Sequence, residues 1–129
     1  MKNNIDIQPL VEVVQKLRSP NGCPWDKVQT HESLRRYFIE ETYEVMDAID
    51  NKDMDNLREE LGDVLLQIVF HSSLAEESGT FTLQDVINDV TEKMIHRHPN
   101  VFPEENPDNK GKIYTWDELK AQEKGNIRK

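Results

Sequence analysis

The chain has 129 residues, a usual size for one domain, so we expect a single domain over residues 1–129. Its formal net charge of −9, from 16 Lys and Arg against 25 Asp and Glu, argues against binding a DNA or RNA duplex through phosphate contacts. No apolar run approaches the roughly 20 residues of a membrane span. The single cysteine, Cys23, excludes a disulfide within the chain, and the N-terminus has no apolar signal core. Both features favour the cytoplasm.

Hydrophobic residues recur with a helical period in long segments that Gly and Pro separate. The first amphipathic helix covers Leu10–Leu17 and ends at Ser19–Gly22, and the loop over residues 22–26 is too short and proline-rich for regular structure. A second helix is predicted from about residue 32 to residue 50, and a third from about residue 54 to residue 77. Gly79 is a natural stop for the third helix.

A fourth helix follows a capping signal, in which Thr82 precedes Asp85 by three residues. The helix is expected to end before Pro99. Its apolar residues are expected to face inward; they are Leu83, Val86, Ile87, Val90 and Met94.

The last helix is short and follows a loop over residues 99–114 that is rich in Pro, Asn, Gly and Lys. Thr115 and Glu118 form a capping box at its start, and Gly125 is expected to end it. No segment alternates strictly enough to indicate a strand. The pattern predicts an all-α antiparallel bundle of about four main helices plus a short C-terminal helix.

Two consecutive predicted helices carry acids at the border of their apolar faces. Around the second helix Glu44 lies about 60° from Glu41, and around the third Asp63 lies about 60° from Glu60. Glu40 points further towards solvent. The apolar face of a helix is the part that meets its neighbours, so packing brings these bordering acids towards one another.

Such a cluster needs neutralisation, because carboxylates about 5 Å apart repel by roughly 3 kcal/mol at an effective dielectric constant near 20. Protons or cations must supply it. The four positions offer only oxygen ligands, which favours a hard cation such as Mg²⁺ or Mn²⁺. A solvated charged face is the alternative for each pair taken alone. A di-iron bundle is disfavoured because its motif has His where this chain has Asp63.

The acids form the motif Glu40-Glu41-x-x-Glu44 followed by Glu60-x-x-Asp63, which resembles that of the all-α nucleoside triphosphate pyrophosphohydrolases. The flanking sequence resembles the MazG family from about residue 10 to residue 124. The matching stretches are Gly22-Cys23-Pro24-Trp25-Asp26 with Gln29-Thr30, Glu40-Glu41-Thr42-Tyr43-Glu44-Val45, Glu60-Leu61-Gly62-Asp63, Arg97-His98-Pro99-x-Val101-Phe102, and Trp116 with Lys120. The resemblance implies that Glu41, Glu44, Glu60 and Asp63 bind Mg²⁺. Glu40 would orient water from behind them, or play a solvated structural role.

An acidic protein that binds a triphosphate needs local positive charge. Lys93 and Arg97 are four residues apart on the fourth predicted helix and could close on phosphate oxygens. The alternative is that both are rim cations paired with nearby acids. The MazG resemblance suggests that Trp116 packs on the base and that Lys120 reaches phosphate, whereas the alternative for Trp116 is a core anchor for the last helix.

The resemblance also implies an activity, namely Mg²⁺-dependent hydrolysis of nucleoside triphosphates to nucleoside monophosphate and pyrophosphate. Water would attack the α-phosphorus, and the reaction would serve nucleotide-pool control or house-cleaning. The family implies a homodimer, or a dimer of dimers, with sites at helix-bundle interfaces. The rival hypothesis is a catalytically weak MazG-like domain that acts as a nucleotide-binding or assembly module.

Overall fold

The computed structural model describes residues 4–127, with side chains as far as residue 123, and the regular structure in this range is entirely helical. Six helices follow one another: α1 (Gln8–Leu17), α2 (Pro24–Lys27), α3 (His31–Asp50), α4 (Met54–Glu77), α5 (Leu83–His96) and α6 (Trp116–Ile127). They confirm the predicted all-α class. The chain forms two compact units, Met1–Leu83 and Gln84–Lys129, and its description as one domain stays a prediction.

The α3–α4 hairpin begins and turns where the sequence signals it. The hydroxyl of Thr30 accepts a hydrogen bond from the backbone N–H of Ser33 at 3.0 Å, and the Ser33 hydroxyl accepts one from the N–H of Thr30 at 2.8 Å. Asp53 caps α4 by accepting from the N–H of Asn56 at 3.1 Å. Each cap satisfies N–H groups that have no partner inside the helix. The short turn makes the two long helices antiparallel neighbours.

Glycine ends two of the helices in the first unit. Gly79 follows α4 with a φ of 74°, the left-handed conformation that glycine adopts without strain, which confirms the predicted stop. After α1, Gly22 donates to the carbonyl of Ser19 at 2.8 Å, and Cys23 donates to that of Leu17 at 2.8 Å. A Cβ on Gly22 would overlap the carbonyl oxygens of Lys16 and Leu17, so the chain can reverse there only with glycine.

Two predictions about local structure are wrong. The loop expected at residues 22–26 contains α2, because a proline suits the first turn of a helix and Pro24 opens this one. The last helix was expected to end at Gly125, but α6 continues to Ile127. A single glycine inside a helix costs only about 1 kcal/mol, which is too little to end the helix by itself.

The core of the first unit lies where α1 and α3 pack against α4. Its buried cluster consists of Val14, Leu34, Val69 and Phe70. Near one end of α4 a hydrogen bond joins His31 of α3 to His71, with 2.7 Å between the two Nδ1 atoms. These contacts fix α3 and α4 side by side, and this placement positions the acidic residues.

Arg18 ties three segments of the first unit together. Its guanidinium donates to both carboxylate oxygens of Glu77 on α4, at 2.7 and 2.9 Å. It also donates to the backbone carbonyls of Asp26 and Gln29 and lies 5.5 Å from the centre of the Phe70 ring. These bonds hold the segment that connects α1 with α3 against α4.

Several apolar residues that were expected to face inward are exposed. On α5 the residues Ile87, Val90 and Met94 are exposed, and α5 has no buried residue. In the first unit the apolar residues Val13, Ile49 and Leu61, which belong to the helical pattern of α1, α3 and α4, are exposed as well. The helical period of the apolar residues was identified correctly. The period does not determine, however, which apolar helix faces become buried, and several remain exposed in the described range.

None of the helices in the described range is both long and apolar enough for a membrane crossing. The cytoplasmic location stays a prediction.

Candidate active site

Four carboxylates from the α3–α4 hairpin meet at one place. Glu41 and Glu44 come from α3, and Glu60 and Asp63 come from α4. One ligand oxygen from each residue lies within 4.8 Å of the others. Glu60 is buried, Glu41 and Asp63 are half-buried, and Glu44 is exposed. The structure therefore brings together the four acids that the helical period placed at facing borders, and their role as metal ligands stays a prediction.

The crowding of the cluster shifts its proton equilibria. Burial raises the pKa of Glu41 to about 7, and the charges of Glu44 and Asp63 add to the effect. A hydrogen bond with Glu44 raises the pKa of Glu60 to about 7, with further contributions from burial and from the charges of Glu44, Asp63 and Glu41. A carboxylate holds its proton near neutral pH when no nearby positive charge or hydrogen-bond donor stabilises its charged form. A cation can supply that compensation.

Two oxygens of the cluster have no hydrogen-bond partner among the residues that the structure describes. Oε2 of Glu41 and Oε2 of Glu60 are buried and accept no hydrogen bond from the described residues. An unsatisfied buried acceptor is costly, and more so when it is charged. Carboxylate oxygens are the ligands that Mg²⁺ and Mn²⁺ prefer, so the residues present fit a hard divalent cation.

Glu40 lies outside the cluster of four. It precedes Glu41 on α3 and is exposed, as its angle around the helix predicted. Its assignment as a residue that orients water stays a prediction.

The second unit contains a cavity of about 190 Å³ between α5 and α6. Three of the four residues predicted to bind substrate line it, namely Lys93, Trp116 and Lys120. Trp116 is 73 % exposed, whereas Leu119 is buried, with only 5 % of its surface exposed. The core-anchor alternative for Trp116 is therefore wrong, because Leu119 anchors α6 instead.

The predicted capping box holds the start of α6 and so fixes Trp116 at the mouth of this cavity. The backbone N–H of Glu118 donates to the Thr115 hydroxyl at 3.1 Å, and the N–H of Thr115 donates to the Glu118 carboxylate at 3.2 Å. These two bonds confirm the capping box that the sequence indicated.

Sequence reasoning missed Glu123, which faces both lysines of the α5–α6 cavity. Its two carboxylate oxygens lie 3.7 Å from Nζ of Lys93 and 3.8 Å from Nζ of Lys120. The alternative for Lys93, an ion pair with an acid, is thus observed, with an acid from α6. The spacing of three residues between Lys120 and Glu123 is the signal in the sequence that could have indicated it.

Arg97, the fourth residue predicted to bind substrate, does not line the α5–α6 cavity. It follows the last residue of α5. Its Nε is buried and has no hydrogen-bond partner in the part of the chain that the structure describes.

A comparison with known protein families shows which family this chain belongs to. Residues 29–102 match the model of the MazG nucleotide pyrophosphohydrolase domain. The chain belongs to the MazG family. The matched range contains the four clustered acids together with Lys93 and Arg97, whereas α6 lies beyond it.

Similar MazG proteins come from several bacteria. The chain is 56 % identical over 119 residues to the nucleoside triphosphate pyrophosphohydrolase/pyrophosphatase MazG of Thermotoga maritima, covering 92 % of this chain and 45 % of the relative. It is 43 % identical over 120 residues to the nucleoside triphosphate pyrophosphohydrolase of Escherichia coli K12, covering 92 % of this chain and 46 % of that protein. The chain therefore spans about half the length of the curated relatives it matches.

A solved structure supports the fold. The crystal structure of a MazG-related protein from Thermotoga maritima matches with a TM-score of 0.63 and 29 % identity, over 95 % of this chain and 99 % of that chain. The described all-α architecture is thus that of a MazG-related protein.

Proposed function

We propose that this MazG chain hydrolyses nucleoside triphosphates to nucleoside monophosphate and pyrophosphate, with Mg²⁺ as cofactor, in the control of nucleotide pools. The observation that carries the proposal is the cluster of four carboxylates on α3 and α4, with two buried oxygens that accept no hydrogen bond from residues 4–123. Relatives named nucleoside triphosphate pyrophosphohydrolases, at 56 % and 43 % identity, support it.

In the proposed reaction the oxygen of a water molecule bonds to the α-phosphorus, and the bond from that phosphorus to the bridging oxygen breaks. Pyrophosphate leaves with the electron pair of that bond. The residues that would hold Mg²⁺ are Glu41, Glu44, Glu60 and Asp63. The bound cation would supply positive charge that offsets the charge of the phosphates. Glu40 is the proposed group that orients the water and accepts its proton.

Substrate binding is assigned to the cations and the exposed indole of the second unit. Lys93 and Lys120 would bind phosphate oxygens as point charges, and Arg97 would add a planar donor pair. Trp116 would stack on the base; its exposed ring at the α5–α6 cavity supports this assignment.

The test is to incubate the protein with a nucleoside triphosphate and Mg²⁺ and to measure released pyrophosphate. We expect turnover by the wild-type protein and at least a hundredfold loss in Glu41→Gln and in Asp63→Asn, since each removes a charged ligand. Glu59→Gln is the matched control, because Glu59 is an exposed acid on α4 outside the cluster. Unchanged turnover in the two cluster variants would overturn the proposal.

The rival hypothesis, a nucleotide-binding or assembly module, predicts a different result in the same test. Nucleotide binding without any pyrophosphate release would favour this second candidate over the enzyme.

We also propose that two copies associate through α3. Its residues Arg35, Ile39, Thr42 and Met46 are spaced by four, three and four, as in a helix-pairing seam, and line an open cavity of about 680 Å³. Arg35 lies near the start of α3 and Asp50 at its end, so an antiparallel pairing of two α3 helices places opposite charges together.

Light scattering after size exclusion tests this association. We expect a mass of two or four times 15.1 kDa for the wild-type protein and a lower mass for Ile39→Glu. Val13→Glu, which alters an exposed apolar residue of α1, is the control and should keep the wild-type mass. A wild-type mass of one chain would contradict the proposal.

A further inference from the structure

The α5–α6 cavity holds one carboxylate between two ammonium groups. Each oxygen of Glu123 faces a different lysine, at 3.7 Å from Lys93 and 3.8 Å from Lys120. Both distances are longer than the 2.7–2.9 Å of a direct charge-assisted hydrogen bond. The two lysines are therefore drawn towards an anion but are not saturated by it.

The burial of the three groups differs. The side chain of Glu123 is 17 % exposed, whereas those of Lys93 and Lys120 are 46 % and 71 % exposed. The carboxylate thus lies at the inner end of the group, and the lysines reach in from the rim. A carboxylate and a phosphate group present pairs of oxygens at a similar spacing, so an entering phosphate would make the same contacts to the lysines that Glu123 makes.

We propose that Glu123 occupies the place of a phosphate group between Lys93 and Lys120 and competes with it, which weakens the binding of phosphate-bearing ligands in this cavity. The inference rests on the proposed function, in which these lysines bind phosphate. A bound anion must either displace the carboxylate or lie beside it against a like charge.

The tryptophan at the cavity provides a readout that needs neither metal nor turnover. The chain has two tryptophans, so Trp25→Phe leaves Trp116 as the only one. Trp116 lines the same cavity as Glu123, and its fluorescence is expected to respond to occupancy. The ligand is inorganic tripolyphosphate, titrated at low ionic strength in a metal-free buffer into the Trp25→Phe protein with and without Glu123→Gln.

We expect Glu123→Gln to lower the dissociation constant for tripolyphosphate about tenfold, equivalent to about 1.4 kcal/mol. Glu123→Asp keeps the charge but shortens the side chain by one methylene, so its dissociation constant should lie between those of the wild-type residue and Glu123→Gln. Glu92→Gln makes the same change of net charge at an exposed position of α5 and should change the constant less than twofold.

Equal binding by Glu123→Gln would overturn the inference, because it would show that Glu123 does not compete with the ligand. Weaker binding would also overturn it, because it would show that Glu123 holds the lysines in place for the ligand. Absence of saturable binding in every variant would overturn it as well. Failure of the proposed function gives a different result, namely no pyrophosphate from a nucleoside triphosphate with Mg²⁺, while tripolyphosphate still binds more tightly to Glu123→Gln.

Discussion

The charged groups of the two units are held in different ways. In the first unit, four carboxylates come from two long helices packed along each other, and their ligand oxygens lie within 4.8 Å. In the second unit, Lys93 and Lys120 are largely exposed and pair with Glu123 at 3.7 and 3.8 Å. The first cluster is imposed by the packing of backbone elements, whereas the second depends on flexible side chains at a rim.

The two arrangements differ in what they cost the folded protein. Packing forces like charges together in the first unit, so the protein gives up stability there unless a cation binds. The lysines of the second unit lose little by moving, since exposed ion pairs contribute at most about 1 kcal/mol. The carboxylates of the first unit would thus suit a metal ion of fixed geometry, and the exposed lysines of the second unit would suit a ligand of variable position.

The largest expected effect is the response of stability to Mg²⁺ and pH. Without metal, the native pKa values of Glu41 and Glu60 are about 7, against 4.5 for the ordinary carboxyl. The native state therefore binds more protons than the unfolded state between pH 4.5 and 7, and the contribution of these groups to the free energy of unfolding falls as pH rises through this range. In the proposed function Mg²⁺ would replace those protons, and a thousandfold excess over its dissociation constant would add about 4 kcal/mol.

Thermal unfolding of metal-free protein at pH 5 and pH 8, with and without Mg²⁺, measures this effect. We expect Mg²⁺ to raise the Tm more at pH 8 than at pH 5, because fewer protons compete for the carboxylates. A monovalent salt of equal ionic strength is the control. Equal responses to both salts would contradict the account of the first unit.

A smaller change in the free energy of unfolding is expected when an ion pair is removed from either unit. Arg18→Met removes the bonds to Glu77 and leaves two backbone carbonyls without their donor, so it should lower the free energy of unfolding by about 2–3 kcal/mol. Lys120→Gln is the matched change in the second unit and should stay within about 0.5 kcal/mol. Urea unfolding measures both values. Similar values for the two variants would remove the contrast between the units.

The sequence predicted the acidic cluster because two simple rules were sufficient. A period of 3.6 residues places Glu41 with Glu44 and Glu60 with Asp63, and a three-residue turn brings the two helices side by side. The bounds of α3 and α4 followed from the helical period, the three-residue turn between them and Gly79.

The arrangement of the second unit was harder to predict. The loop over residues 99–114 sets how α6 meets α5, and no period governs a loop. Glu123 and the position of Arg97 depend on that arrangement, so the sequence did not indicate that Glu123 faces both lysines or that Arg97 lies outside the cavity. The exposure of the apolar residues on α5 depends on packing, which helical period alone does not specify.

The smallest expected effect concerns a glycine inside α4. Gly62 lies between Glu60 and Asp63, and a Cβ there would have no atom within 4 Å in the described part of the chain. Gly62→Ala should raise the free energy of unfolding by about 0.5–1 kcal/mol, because alanine favours the helix. Urea unfolding tests it. A decrease in stability would show that this face of the cluster is more crowded than the described side chains indicate.

The most direct test of the central claim is calorimetric titration of metal-free protein with Mn²⁺ at pH 8. The account predicts saturable binding by the wild-type protein, at least tenfold weaker binding by Glu60→Gln, and wild-type binding by Glu59→Gln, the neighbouring exposed acid. Equal binding by the Glu60→Gln and Glu59→Gln variants, or none by the wild-type protein, would contradict the claim that the four carboxylates form a divalent-cation site.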